Sequence, residues 1–216
     1  MSNVMTVQLL VDGPKNVVVK VDGVVDTSDI AVTGTIGASG FTTTLGLKTV
    51  AFVAGALVPT LGQYLTFGDS AATFVAGTYV TSVIDATHIT VSTAALKNNA
   101  AAAVTITGTT GNVVLLDPAL LSLVNSDNLL ATKLRIDKIN FDVEDLLVVN
   151  LLWEATANVS IWHLAGRGKF EPVKRFGGLS TNAGAGATGR ILLSTQGWSA
   201  SAVLSFSMTI ELTKQW

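Results

Sequence analysis

The chain has 216 residues, of which 49% are apolar and 13% charged, with a formal net charge of -2 and no cysteine. That length suffices for one large or two small β domains with a substantial core. The charge balance argues against a dedicated nucleic-acid binder, which carries a basic stripe. The missing cysteines exclude disulfides, a thiolate nucleophile and a Cys-ligated zinc site.

The charged fraction is about half the roughly 25% of an ordinary soluble domain. One cause is a β surface coated with Thr, Ser and Asn rather than Glu and Lys. The other is burial of that surface against further chains, where charge is costly. A mean hydropathy of +0.53 keeps the second cause in view.

In chain order, Met1 to Leu10 shows neither a basic stretch nor a sustained apolar core, so no signal peptide is expected. Val17, Val19 and Val21 alternate with Lys20 and Asp22, which predicts a strand with one face inward. Asp12, Asp22, Asp26 and Asp29 are acidic neighbours, but they lack the dense Asp-x-Asp-x-Asp-Gly spacing of a calcium loop. Asp12-Gly13 and Asp22-Gly23 are instead expected in turns and caps.

From about Gly37 to Gly108 the composition shifts to Ala, Gly, Thr and Val with hardly any charge. Short alternating pieces recur at Lys48–Val53, Gln63–Phe67, Tyr79–Ile84, His88–Ser92 and Ala103–Thr107. Turn-formers separate them: Gly77, Asp85-Ala86-Thr87 and Asn98-Asn99. The apolar stretch between Lys48 and Asp69 is interrupted by Gly55, Pro59, Gly62 and Gln63. It is therefore not a membrane span, which needs roughly 20 apolar residues in one run.

Beyond it, Asp117 can cap and Pro118 suits a first helical position, so Ala119–Leu123 predicts one short helix. In Lys133–Val143 the apolar phase changes from even (Leu134, Ile136) to odd (Ile139, Phe141, Val143), the mark of a β-bulge. Leu146–Trp153 is nearly continuous apolar sequence and should be covered on both faces. In Ser205–Thr213, Phe206, Met208, Ile210 and Leu212 alternate with Ser207, Thr209 and Glu211, again a half-buried strand. No long 3.6-residue pattern occurs, which excludes an α/β fold. The prediction is an all-β chain: a β-sandwich or jelly-roll-like core from 1–36 and 109–216, a small barrel or sandwich module inserted at 37–108, and one short helix.

Few residues suggest chemistry. The Asn182–Gly189 run imitates a phosphate-binding loop but lacks its Lys-Ser/Thr pair, so it reads as a tight or flexible loop. No Gly-x-Ser-x-Gly elbow is present. His88 and His163 are far apart in sequence, each in a strand context, and are expected to be structural. Asn158-Val159-Ser160 is a glycosylation sequon, without meaning in the absence of a secretory signal. No catalytic residue, cofactor or metal is expected. The basic run Arg167, Lys169, Lys174 and Arg175 reads as a solvated loop or an intersubunit contact.

Several segments together resemble a family of small virion structural proteins of tailed bacteriophages. They are Asp12-Gly13-Pro14-Lys15-Asn16 with Val17–Lys20, Asp117–Leu121, Lys133–Ile139, Leu151–Ala155, Phe176–Leu179, Gly184-x-Gly186-x-Thr188-Gly189 and Ser194–Trp198. The resemblance covers both flanks and leaves 37–108 as an added module. It implies a non-enzymatic decoration or cement protein on the capsid exterior, made in the host cytoplasm. Its partners would be the major capsid protein lattice and further copies of itself, a trimer being the expected state, with no nucleic acid and no membrane. Tail, tail-tube and baseplate roles are alternatives, as is a carbohydrate- or receptor-binding module using Trp153, Trp162 and Trp198. The expected oligomer or lattice contacts are Trp216, Trp198, Arg167 and Lys169, since a free Trp216 ring would expose a large apolar surface. No functional residue carries over from the family.

Overall fold

The structure is a computed structural model. It describes residues 3–26, 30–31, 34–54, 59–68, 73–102, 106–124, 129–197 and 203–216. The chain is all-β, its described helical elements being a 3-10 turn at Pro118–Leu120 and one short α-helix. It divides into two compact units, Met1–Val4 with Asp29–Val113 and Met5–Ser28 with Val114–Trp216. The sequence-derived limits 37 and 108 fall inside the first of these.

Strands β1 (Val4–Asp12) and β2 (Asn16–Val25) form a hairpin, turned at Asp12-Gly13, where Gly13 N–H donates to Asn16 O at 2.9 Å. The first unit follows with β3 (Gly34–Thr43), β4 (Thr49–Ala54), β5 (Gln63–Phe67), β6 (Val80–Asp85), β7 (His88–Val91) and β8 (Asn99–Ala102). Strand β9 (Ile106–Leu116) begins in the first unit and ends in the second. The order is β9-β3-β4-β7-β6, with β5 pairing β9 and β8 pairing β3. Val50, Phe52, Leu65, Phe74, Val80, Ile89, Val91 and Ala95 make the core of this unit. Among the described residues its buried polar side chains are neutral: Thr43, Thr60, Gln63, Thr73 and Thr78. Thr60 N–H donates to Gln63 Oε1 at 3.1 Å, and Thr78 Oγ1 donates to Val75 O at 2.7 Å.

The second unit continues with β10 (Lys133–Val143), β11 (Leu147–Trp153), β12 (Val159–Leu164), β13 (Arg167–Phe170), α1 (Pro172–Phe176), β14 (Leu179–Ser180), β15 (Ile191–Gly197) and β16 (Leu204–Gln215). One sheet runs β1-β2-β16-β10-β13, with β14 on β10. In the other sheet β11 lies between β12 and β15. On β16, Leu204, Phe206, Met208, Ile210 and Leu212 are all buried. They align with Val17, Val19, Val21 and Val25 on one side and the apolar set of β10 on the other. Strand β11 approaches β16 and β10. Each fully buried aliphatic side chain there contributes about 1.5–3 kcal/mol.

The bulge expected in β10 is present, as a register shift between Ile136 and Lys138. Three expectations need correction. Asp22-Gly23 is no turn but lies within β2, opposite Ser207 and Phe206. A Cβ on Gly23 would sit 2.2 Å from the Phe206 ring, so the glycine makes room for that ring. Leu146 is not a strand residue but is exposed in the β10–β11 turn, with φ of 74°. The Asp117 element is only a 3-10 turn, capped as expected by Asp117 Oδ1 accepting from Ala119 N–H. The α-helix lies instead at α1, opened by Pro172 and closed by Gly177 in the left-handed region. Of the piece Ala103–Thr107, the first three residues lie outside the described residues, and the rest belongs to β9.

Candidate interaction surfaces

The buried face of β16 does not end at Leu212. The next position in phase is Lys214, whose side chain has 0% exposure. A buried ammonium is tolerated only when its donors are satisfied. Lys214 Nζ donates to Asp12 Oδ1 at 2.6 Å, Ser122 O at 2.7 Å and Ser122 Oγ at 2.9 Å. Ser122 also donates to Asp12, from N–H to Oδ2 at 2.8 Å and from Oγ to Oδ1 at 2.9 Å. Burial alone would raise the Asp12 pKa, but the bonds from Lys214 and Ser122 outweigh it and hold the carboxyl below its usual range.

This clamp ties the end of β1, the segment after the 3-10 turn and the end of β16 together. Large apolar side chains stand exposed around it in sequence: Leu9, Leu10 and Val11 before Asp12, Leu120 and Leu123 beside Ser122, and Trp216 after Lys214. Trp216 is 60% exposed and is not folded into the core. It borders a shallow hollow of about 300 Å³ with Lys15, Thr213, Lys214 and Gln215.

The second surface lies where β12 passes into β13 through Ala165-Gly166. The Trp162 and Phe170 rings stack at 4.1 Å and 18°, with Phe176 of α1 6.3 Å from Phe170. An open hollow of about 520 Å³ is lined by Trp162, Lys169, Phe170, Glu171, Lys174 and Arg175. Glu171 accepts from Lys174 and pairs with Lys169 at 3.1 Å, and these bonds lower its pKa. Arg167 pairs with Asp142 at 2.8 Å, which raises the guanidinium pKa. The basic run is therefore partly neutralised, by Glu171 within it and by Asp142 from β10, the second of which its sequence spacing does not reveal.

The structure places Arg167 and Lys169 together on β13 and far from Trp216. Arg167 aligns with Asp142 at one end of β10, whereas Gln215 aligns with Lys133 at the other. At strand rise those ends are about 30 Å apart. Trp198 lies outside the described residues. Of the other tryptophans, Trp153 is a core residue at 2% exposure, and Trp162 is 40% exposed.

The residues read as structural have structural partners. His163 Nδ1 is hydrogen-bonded to Oδ1 of the buried Asn150, and His88 Nδ1 pairs with Asp85 at 3.0 Å. In the glycine-rich loop, Gly189 has φ of +79°, and a Cβ there would meet Thr132 O at 2.0 Å. The adjoining Arg190 donates from Nε to Asp117 Oδ2 at 2.7 Å and from Nη1 to Glu154 Oε2 at 3.3 Å, which fixes the loop base. Among the described residues no group of His, Asp and Glu is disposed to hold a metal, and no helix is long and apolar enough to cross a membrane. No family model, no curated protein and no solved structure matches the chain.

Proposed function

We propose that this chain is a non-enzymatic structural subunit of a tailed-phage virion, a decoration or cement protein on the exterior of the capsid lattice that also associates with itself. The observation that carries the reading is the set of large apolar side chains left exposed on a sparsely charged all-β chain: Leu9, Leu10, Val11, Leu120, Leu123 and Trp216 around the Lys214 clamp, and Trp162, Val173 and Phe176 around α1. Exposed apolar side chains gathered in this way mark association surfaces. Many weak contacts of this kind on a repeating lattice add through effective concentration. The resemblance of the flanking segments to virion proteins supplies the class of partner.

Quantitative mass spectrometry of purified particles tests this. Hundreds of copies per particle are expected for a decoration protein. A few to a few dozen would move the assignment to tail, tail tube or baseplate, and absence from the particle would overturn it. Carbohydrate binding is the second reading. The burial of Trp153 leaves Trp162, beside the hollow on β13 and α1, as its described platform. Saturable binding of the isolated protein to a glycan array would favour it.

A further inference from the structure

The four strands that end the two sheet orders are β1, β13, β12 and β6. An edge strand presents unpaired N–H and C=O groups to any extended chain, and proteins guard such edges with charge, shortness or cover. Strand β13 is four residues long and carries Arg167 and Lys169. Strand β12 carries His163, and β6 ends at Asp85. Strand β1 differs from all three. From Val4 to Val11 it has no charged residue and no proline, and Leu9, Leu10 and Val11 are consecutive exposed residues. Consecutive strand residues point to opposite faces, so apolar surface stands open on both sides of this edge. Its one charge, Asp12, is turned to Lys214 and Ser122 and guards nothing.

We propose that β1 is an assembly edge, pairing antiparallel across a twofold axis with β1 of a second copy of this chain. The unpaired backbone calls for an extended strand, and charge selects which one. With the axis at Gln8, Val7 faces Leu9, Thr6 faces Leu10, Met5 faces Val11 and Val4 faces Asp12. Axes one residue to either side likewise bring no two charged side chains opposite each other, so the segment is complementary to itself. The guarded edge of β13 would oppose Arg167 and Lys169 if it paired with itself about Gly168. The pairing fuses two sheets into one and gives a dimer, not the trimer expected from sequence. It does not depend on the virion reading.

The natural lack of cysteine makes the test direct. Val7→Cys, Gln8→Cys and Leu9→Cys variants of the full chain are oxidised, with Arg167→Cys on β13 as control. Twofold pairing brings one residue of the series to its own copy within disulfide reach, so a covalent dimer is expected there and none for the control. Leu10→Lys is exposed and should leave tryptophan emission unchanged, and melting unchanged at concentrations where both proteins are monomeric, while weakening the dimer by roughly tenfold or more in sedimentation. A wild-type monomer at about 100 μM overturns the proposal. So does a trimer, or a dimer that neither crosslinks in the series nor responds to Leu10→Lys.

Discussion

In the first unit the described buried polar side chains, Thr43, Thr60, Gln63, Thr73 and Thr78, are neutral; some of their bonds are local, as from Thr60 N–H to Gln63 and from Thr78 to Val75, and others reach Ile30 and Lys97. In the second unit ions do this work between segments remote in sequence. Lys214 binds Asp12 and Ser122, Arg190 binds Asp117 and Glu154, and Lys138 binds Glu211 across β10 and β16. Neutral bonds suit a unit built mostly from one continuous segment. A unit assembled from both flanks of another needs ties that span the chain, and a charge held in a single geometry also fixes register. The cost is sensitivity to pH and to loss of one partner.

Intrinsic probes separate the two units, because all four tryptophans lie in the second and both tyrosines in the first. The largest effect is expected from Lys214→Ala, which strands Asp12 and empties a core position. The second unit should lose about 3–5 kcal/mol, read from denaturant curves by tryptophan emission, while the tyrosine-reported transition stays in place. An unchanged tryptophan midpoint would show that the clamp contributes nothing. Next, Gly23→Ala forces a methyl into the Phe206 ring and should cost about 1–3 kcal/mol. Combining it with Phe206→Leu should recover part of that loss; purely additive costs would point to backbone strain instead.

Acidification should act more weakly, and mainly on the second unit. Asp12 and Asp22 both titrate below the usual carboxylate range, Asp22 chiefly through the Ser207 hydroxyl and then Lys20. Depressed folded values give stability that is complete above the unfolded pKa of about 3.9 and lost as pH falls through the folded ones. In the first unit Asp85 is lowered to about 2 by the Thr87 N–H, the Thr87 hydroxyl and His88, all in one exposed turn. Because that turn is exposed and screened by solvent, whereas Asp12 and Asp22 tie separate segments together, the tryptophan-reported melting temperature should fall further than the tyrosine-reported one as pH drops below about 4. A parallel fall would remove the contrast. The smallest effect belongs to Arg167→Ala. Its pair with Asp142 is solvent-exposed, so calorimetry should show no resolvable change in melting temperature.

The strands most legible in the sequence are those with one wet face. The alternation on β16 and β2, the phase change in β10 and the limits of β5 could be read directly, because a period of two is imposed by burial on one side. Strand β3 (Gly34–Thr43) gave no such signal. Its sequence is rich in Gly, Ser and Thr, and its pairing depends on partners elsewhere. Helix α1 is too short for a helical period, although Pro172 and the Gly177-Gly178 pair bracket it. Gly23 misled because a glycine suited to turns also suits a strand over which an aromatic ring lies. At the candidate surfaces, the basic run and Glu171 within it were visible, but the pairing of Arg167 with Asp142 was not. Lys214 could have been found by extending the alternation two residues beyond Leu212.

Strand β16 also has a consequence in time. It lies between β2 and β10, yet it follows β2 by nearly the length of the chain. During synthesis the strands of the first unit are all made while β2 still lacks its neighbour. At about 5–20 residues per second the β1–β2 hairpin waits roughly 10–40 s for Leu204–Gln215 to emerge. Throughout that interval the valine face of β2 and the apolar length of β1 are both uncovered. Closing so distant a pair is also intrinsically slow. The nascent chain is thus most vulnerable to mispairing before its last strand appears, and a temporary cover for this hairpin would do more for the yield of folded protein than any added stability in the finished fold.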